Sequence, residues 1–207
     1  MSEPDICICW NHSSKSKPLT CLQCFHSSCS LSSTGLRQFD AFVEGTALAD
    51  VNIVQLAGGN ARQAVTQLLP NIAVSDGNLT ISFRNEAPFL GNPTVAGIEV
   101  YKSGPTSPVA VPVAAPVVAP VAAPIAGPAA FTPIRINCGG GAYNDTQGRL
   151  WIDDMYYDGG SIYTTNHDIA NTTDDYLYNT ARDGEVTYQI PVPAGTYQVV
   201  LHFAEIL

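Results

Sequence analysis

Charge is scarce in this chain. Only 13% of its 207 residues are Asp, Glu, Lys or Arg, and 18 acidic residues outnumber 9 basic ones, for a net charge of -9. A surface that tracks nucleic-acid phosphates needs clustered Lys and Arg, and these 9 show no clustering, so nucleic acid is excluded as a partner. Cysteine is nearly missing after residue 29. Five of the 6 fall at Cys7, Cys9, Cys21, Cys24 and Cys29, and only Cys138 follows, where a small buried hydrophobe is the expected role. The phosphate-cradling GxGxxG spacing is also missing. The run Cys138-Gly139-Gly140-Gly141 fails it because position 144 is Asn, and no helical pattern follows. No Ser or Cys nucleophile is paired with a histidine base. Carboxylates are available at Asp153, Asp154, Asp174, Asp175 and Glu205, but nothing fixes two of them at the separation a glycosidase needs. An enzyme is not expected, and no cofactor or metal is implied.

The longest charge-free run lies between Lys102 and Arg135, and a hydropathy window would flag it as membrane-spanning. Its prolines argue otherwise. From Pro108 they recur at Pro112, Pro116, Pro120, Pro124 and Pro128, among Val, Ala and Ile. Each interior proline costs about 3 kcal/mol in a helix and frees a carbonyl that a bilayer cannot satisfy. Residues 103–133 therefore read as an extended, polyproline-like linker, and no membrane span is expected in this chain.

The N-terminal 36 residues are Cys- and Ser-rich. Cys21-x-x-Cys24 has the spacing of a zinc ligand pair, but Cys7 and Cys9 are too close for the usual second knuckle. The stretch reads as a disordered leader. No signal peptide is visible in it, because Asn11 to Pro18 is polar and charged where an apolar run is required.

What remains reads as β-structure. Tyr197, Val199, Leu201 and Phe203 share one face of an extended segment, with Gln198, His202 and Glu205 mostly on the other. Pro191 to Gly195 is a turn before it. Phe39, Ala41 and Val43 alternate with Asp40, Phe42 and Glu44, and Val51 to Leu56 is another short apolar run. Ile72 to Val74 and Leu79 to Phe83, joined through Asp76-Gly77, read as a hairpin, and Val95 to Tyr101 as a last strand.

Several motifs from Ile134 onward then stand in a definite order. They are INCGG at 136–140, Trp151 with DDMYYDGG after it, Leu177-Tyr178-Asn179-Thr180, Tyr188-Gln189-Ile190-Pro191-Val192, and HFAEI at 202–206. Together they resemble the first half of a malectin-type domain, a carbohydrate-binding β-sandwich of the secretory pathway. FDAFVEG, SDGNLTISF and NPTVAGIEVY, within 37–102, are similar to the second half of the same family. The halves thus stand in swapped order, 37–102 before 134–207, as in two tandem domains each truncated at its outer end. Termini of compact domains often lie close, so the two halves are expected to dock as one circularly permuted, jelly-roll-type sandwich. Docking between chains, a domain-swapped self-association, is the other way to cover the same exposed edges.

Sugars present flat apolar faces and rings of hydroxyls, which aromatic rings and carboxylates or amides take up. Tyr156 and Tyr157 with Asp153, Asp154 and Asp158 offer that combination beside glycines. Tyr163, Tyr176 and Tyr178 among Asp168, Asp174 and Asp175 offer it again, although sandwich tyrosines also pack in cores. The resemblance implies a pocket of loop tyrosines, a phenylalanine and an aspartate that takes a diglucose unit. Tyr157 matches the tyrosine before the glycine in the first loop. Asp183 stands where a pocket tyrosine follows the LYQTER-type motif, and Gly91 stands where the aspartate precedes Asn-Pro. No aromatic pair follows HFAEI. The candidate carbohydrate-binding residues are Tyr156, Tyr157, Asp158 and Asp183, with a glycan or glycoprotein as the ligand. The alternative is a structural or protein-binding sandwich of a secreted or cell-surface protein. Four sequons, at Asn11, Asn78, Asn144 and Asn171, suit such a setting.

Overall fold

A computed structural model describes residues 37–85, 91–103 and 131–206. The zinc spacing at Cys21-x-x-Cys24, the leader, and positions 104–130 of the proline tract lie outside the described residues.

Among the described residues twelve strands and two single-turn helices follow one another: β1 (Phe39–Val43), β2 (Thr46–Val51), α1 (Ile53–Leu56), β3 (Val65–Val74), β4 (Asn78–Asn85), β5 (Thr94–Val95), β6 (Gly97–Lys102), β7 (Ile134–Asn137), β8 (Tyr143–Asn144), β9 (Leu150–Trp151), β10 (Tyr157–Thr164), α2 (Asp175–Tyr178), β11 (Thr180–Pro191) and β12 (Gly195–Phe203). The first sheet runs β10-β11-β4-β1-β2, with β5 also on β11. The second runs β3-β12-β6-β7, and β8 and β9 form a small ribbon. All the sheet pairings are antiparallel, and the result is an all-β sandwich.

Both sheets draw on both halves of the sequence. Strand β11 pairs with β4, Tyr188 opposite Ile81, and β12 lies between β3 and β6 with Leu201 opposite Gln67 and Ile98. The two halves therefore complete one another's sheets within this chain. The alternation of β1 is as read: Phe39, Ala41 and Val43 are buried, and Asp40 and Phe42 are intermediate. Between the sheets Phe39, Phe83 and Phe203 meet edge-to-face at 5.9–6.4 Å, an arrangement that suits the ring quadrupoles.

Three local readings change. The turn at Asp76-Gly77 does not close a hairpin, because β3 belongs to the second sheet and β4 to the first. It is a crossing between sheets. Gly77 takes a left-handed φ of 87°, and its carbonyl accepts the amide of Val192 at 3.1 Å, beside the parallel crossing from β11 to β12. The strand read at Val95 to Tyr101 breaks at Ala96, with β5 on one sheet and β6 on the other. Last, His202 and Glu205 do not face solvent. Both are buried, because a second apolar cluster of Trp151, Ile169, Leu177, Tyr178 and Ala204 covers that end of β12.

The glycine-rich motif after β7 has a packing cause. Gly139 has φ 73°, and a Cβ there would sit 2.3 Å from the carbonyl oxygen of Ala181. At Gly140 a Cβ would meet the Asn137 amide nitrogen at 2.2 Å. Asn137 is fully buried, accepting from the Thr180 hydroxyl at 2.8 Å and donating to the carbonyl of Gly141 at 2.8 Å. The INCGG and Leu177-Tyr178-Asn179-Thr180 motifs are thus two sides of one contact.

Candidate functional site

Two places carry the aromatic and acidic side chains. The first is the start of β10. The DDMYYDGG stretch, expected as a loop, enters the edge strand of the first sheet at Tyr157, with Asp158 and both glycines inside the strand. Tyr156 is held at φ 67°, a left-handed conformation unusual for a large side chain. Its carbonyl accepts the Gln189 amide at 2.8 Å, which fixes the bend. Tyr156 and Tyr157 are 42% and 43% exposed. The Arg182 guanidinium lies 3.6 Å from the Tyr157 ring centroid and so covers one face. Asp158 is exposed on the strand.

The acids around this ridge divide sharply. Asp154 is internal. It accepts from the Gly139 amide at 2.7 Å, from the Tyr188 hydroxyl at 2.9 Å and from the guanidinium of Arg182. Asp183 is held as well: Arg37 Nη1 donates to it at 2.9 Å and Asn92 Nδ2 at 2.9 Å, while Arg37 Nε reaches Glu205 at 2.9 Å. The structure thus brings Tyr156, Tyr157 and Asp158 together on β10. It places Asp183 opposite Ser161, farther along the same strand pair, inside an ion-pair cluster.

The second place is a cavity of about 460 Å³ between the β8–β9 ribbon, the turn leading into α2 and the end of β12. Tyr143, Trp151, Leu177 and Tyr178 give it apolar walls, and Gln147, Arg149, Asn171, Thr172, Thr173 and Asp174 give it a polar rim. Trp151 stacks near Tyr143 at 6.3 Å and meets His202 edge-on at 5.2 Å. His202 lies beneath, its Nε2 2.9 Å from Glu99 and its Nδ1 2.9 Å from the Tyr178 hydroxyl. With Glu99 ionised and the ring neutral, Nε2–H donates to the carboxylate and Nδ1 accepts from Tyr178.

Burial opposes the charge on Glu99, but hydrogen bonds from His202, Tyr101 and Arg135 outweigh it and bring its pKa down to about 2. Asp145 is likewise buried against its charge and held low, by the Arg149 amide, the Trp151 indole and the Arg149 guanidinium. Burial pushes the hydroxyls of Tyr143 and Tyr178 up, so both stay protonated donors. Tyr178 spends its proton on His202. The Tyr143 hydroxyl is buried and has no hydrogen-bond partner among the described residues.

Of the second group of residues singled out by sequence, Tyr178 and Asp174 line this cavity and Tyr176 packs on Tyr143 at 4.9 Å. Tyr143, Arg149, Trp151 and His202 were not singled out for binding. Trp151 and His202 stand inside recognised motifs, which was the available signal. Among the described residues no cluster of His, Cys, Asp or Glu is arranged to hold a metal ion. No helix among them is long and apolar enough to cross a membrane.

Residues 132–207 match the model of the malectin domain. The malectin domain is a non-catalytic, binding-type domain found in secretory-pathway proteins, and a carbohydrate-binding module is what it suggests. The 37–102 stretch lies outside the matched residues. No curated protein and no solved structure matches the chain.

Proposed function

We propose that this protein is a non-catalytic glycan-binding module whose sugar lies against the Tyr156–Tyr157 ridge. The observation that supports this is the pair of adjacent tyrosines, both more than two-fifths exposed, one of them in a left-handed backbone conformation. Exposed paired aromatics leave apolar surface in water, and strained backbone tends to persist where function requires it. The open part of the Tyr157 ring offers a stacking face for a pyranose. Asp158, exposed beside it, is the acceptor for the sugar's hydroxyls. Asp183, spent on Arg37 and Asn92, acts by holding β11 and Arg182 in place beneath the ring. The reading implies a secreted, secretory-pathway or cell-surface setting for the parent protein, and one permuted sandwich assembled from 37–102 and 134–207.

A thermal melt of the full chain with a panel of glucan and mannan oligosaccharides tests this, since a ligand of the native state raises its stability. One glycan should raise the midpoint, and Tyr157→Ala should remove the rise without unfolding the protein. If no glycan shifts the melt, the structural or protein-binding reading takes its place. Strand β10 supports that second reading: it is a sheet edge, and it carries Ile162 at 60% exposure.

A further inference from the structure

We propose that the cavity between the β8–β9 ribbon, the 171–174 turn and the end of β12 is a second, separate binding site that takes one neutral sugar ring. None of Tyr156, Tyr157, Asp158 or Asp183 lines it. Its volume of about 460 Å³ falls in the range of small-molecule sites, roughly 300–1,000 Å³. Its composition is that of a sugar site: the partly exposed Tyr143, backed by the buried Trp151 and Tyr178, and a rim of amides and hydroxyls at Gln147, Asn171, Thr172 and Thr173.

Charge selects a neutral ligand. Around the cavity the carboxylates are Glu99, Asp145 and Asp174, and the cations are Arg135 and Arg149. Glu99 is satisfied by His202, Tyr101 and Arg135, and Asp145 by Arg149 and the Trp151 indole. Among the described residues Asp174 is the acid without a cation. From them it accepts the Thr146 amide at 2.7 Å and the Thr146 hydroxyl at 3.2 Å, and a carboxylate has lone pairs for about two more donors. This surplus of one negative charge disfavours phosphates and sugar acids, and Arg149 on the wall disfavours cations. Hydroxyl groups answer to both, donating to Asp174 and accepting from the guanidinium. Tyr143 lines the cavity, and its hydroxyl is buried without a hydrogen-bond partner among the described residues, an unusual state for a donor.

Amide and side-chain N–H NMR spectra of the full chain test the site. The protein is made without N-glycosylation, because Asn171-Thr172-Thr173 is a sequon on the wall. The probes are the methyl glycosides of glucose, galactose and mannose, with glucuronic acid and glucose 6-phosphate as anionic counterparts. The Trp151 indole N–H reports the cavity, assigned against Trp10→Phe, and the Arg182 Nε–H reports the ridge. The expected result is a saturable shift of the Trp151 signal with at least one neutral glycoside and none with its anionic counterpart. Asp174→Asn should weaken it about tenfold by removing the charged acceptor. Asn171→Gly, which keeps the left-handed backbone at φ 63°, should weaken it several-fold while leaving the other signals in place. Neutral sugars that move only Arg182 would sustain the ridge and overturn the cavity site. Preference for an anionic sugar, or an unchanged titration in both variants, would overturn it as well.

Discussion

The ridge on β10 and the cavity beside β12 are built from the same residue types, tyrosines and aspartates, yet they bury opposite parts of them. On the ridge the rings are out and Asp154 is in, locked by Gly139, Tyr188 and Arg182. In the cavity the Trp151 and Tyr178 rings are in, and an acid, Asp174, stands at the mouth. The difference is one of sheet position. An edge strand has an uncovered side, so its rings stay exposed unless something covers them. The end of β12 has neighbours on both faces, and polar groups there must satisfy each other. His202, Glu99, Tyr101, Tyr178 and Arg135 do so as one hydrogen-bonded unit.

Removing Glu99 should break the comparison most severely. In Glu99→Ala, the partly buried Arg135 loses its carboxylate and the buried His202 its acceptor, and breaking a buried ion pair costs about 3–5 kcal/mol. Urea unfolding should show that loss. Asp183→Asn, near the ridge, should cost less, about 1–2 kcal/mol, because Arg37 keeps Glu205 and the amide still accepts a hydrogen bond. Equal losses would mean that the two regions are not differently built.

Acid should separate them next. The Glu99 carboxyl is depressed from 4.5 to about 2 in the folded protein, so its contribution to stability is complete above about pH 4.5 and is lost as pH falls toward 2. Unfolding free energy measured from pH 5 to pH 2 should fall steeply in the wild type. Glu99→Gln should flatten that slope, because the amide has no proton to gain. A slope unchanged in the variant would assign the acid sensitivity to other carboxylates.

Much of the sandwich was legible, because period-two burial is local. Phe39, Ala41 and Val43, or Tyr197, Val199 and Leu201, announce their buried face within five residues. Which sheet a strand joins is not local, and so Asp76-Gly77 looked like a hairpin turn while serving as a crossing. The ridge was legible for the same reason, being two neighbouring tyrosines. The cavity was not. Tyr143, Trp151, Asp174 and His202 come from four separate stretches, and His202 sits at a position whose alternation points outward until a second cluster covers it.

The smallest effect is the sharpest test of the ridge. Tyr157 contributes to folding chiefly through the Arg182 guanidinium on its face and an edge contact with Tyr188 at 6.3 Å. A half-exposed cation–π contact is worth about 0.5–1 kcal/mol, and Arg182 keeps Asp154 when the ring is gone. Tyr157→Ala should therefore lower unfolding free energy by no more than about 1 kcal/mol. A core tyrosine behaves differently: Tyr188→Ala, which empties a fully buried site, should cost about 3–5 kcal/mol. If Tyr157→Ala proved as costly as Tyr188→Ala, Tyr157 would be a packing residue and its exposure would carry no argument for a ligand. A small loss together with abolished glycan stabilisation would mean that the ring is kept at the edge for what it binds.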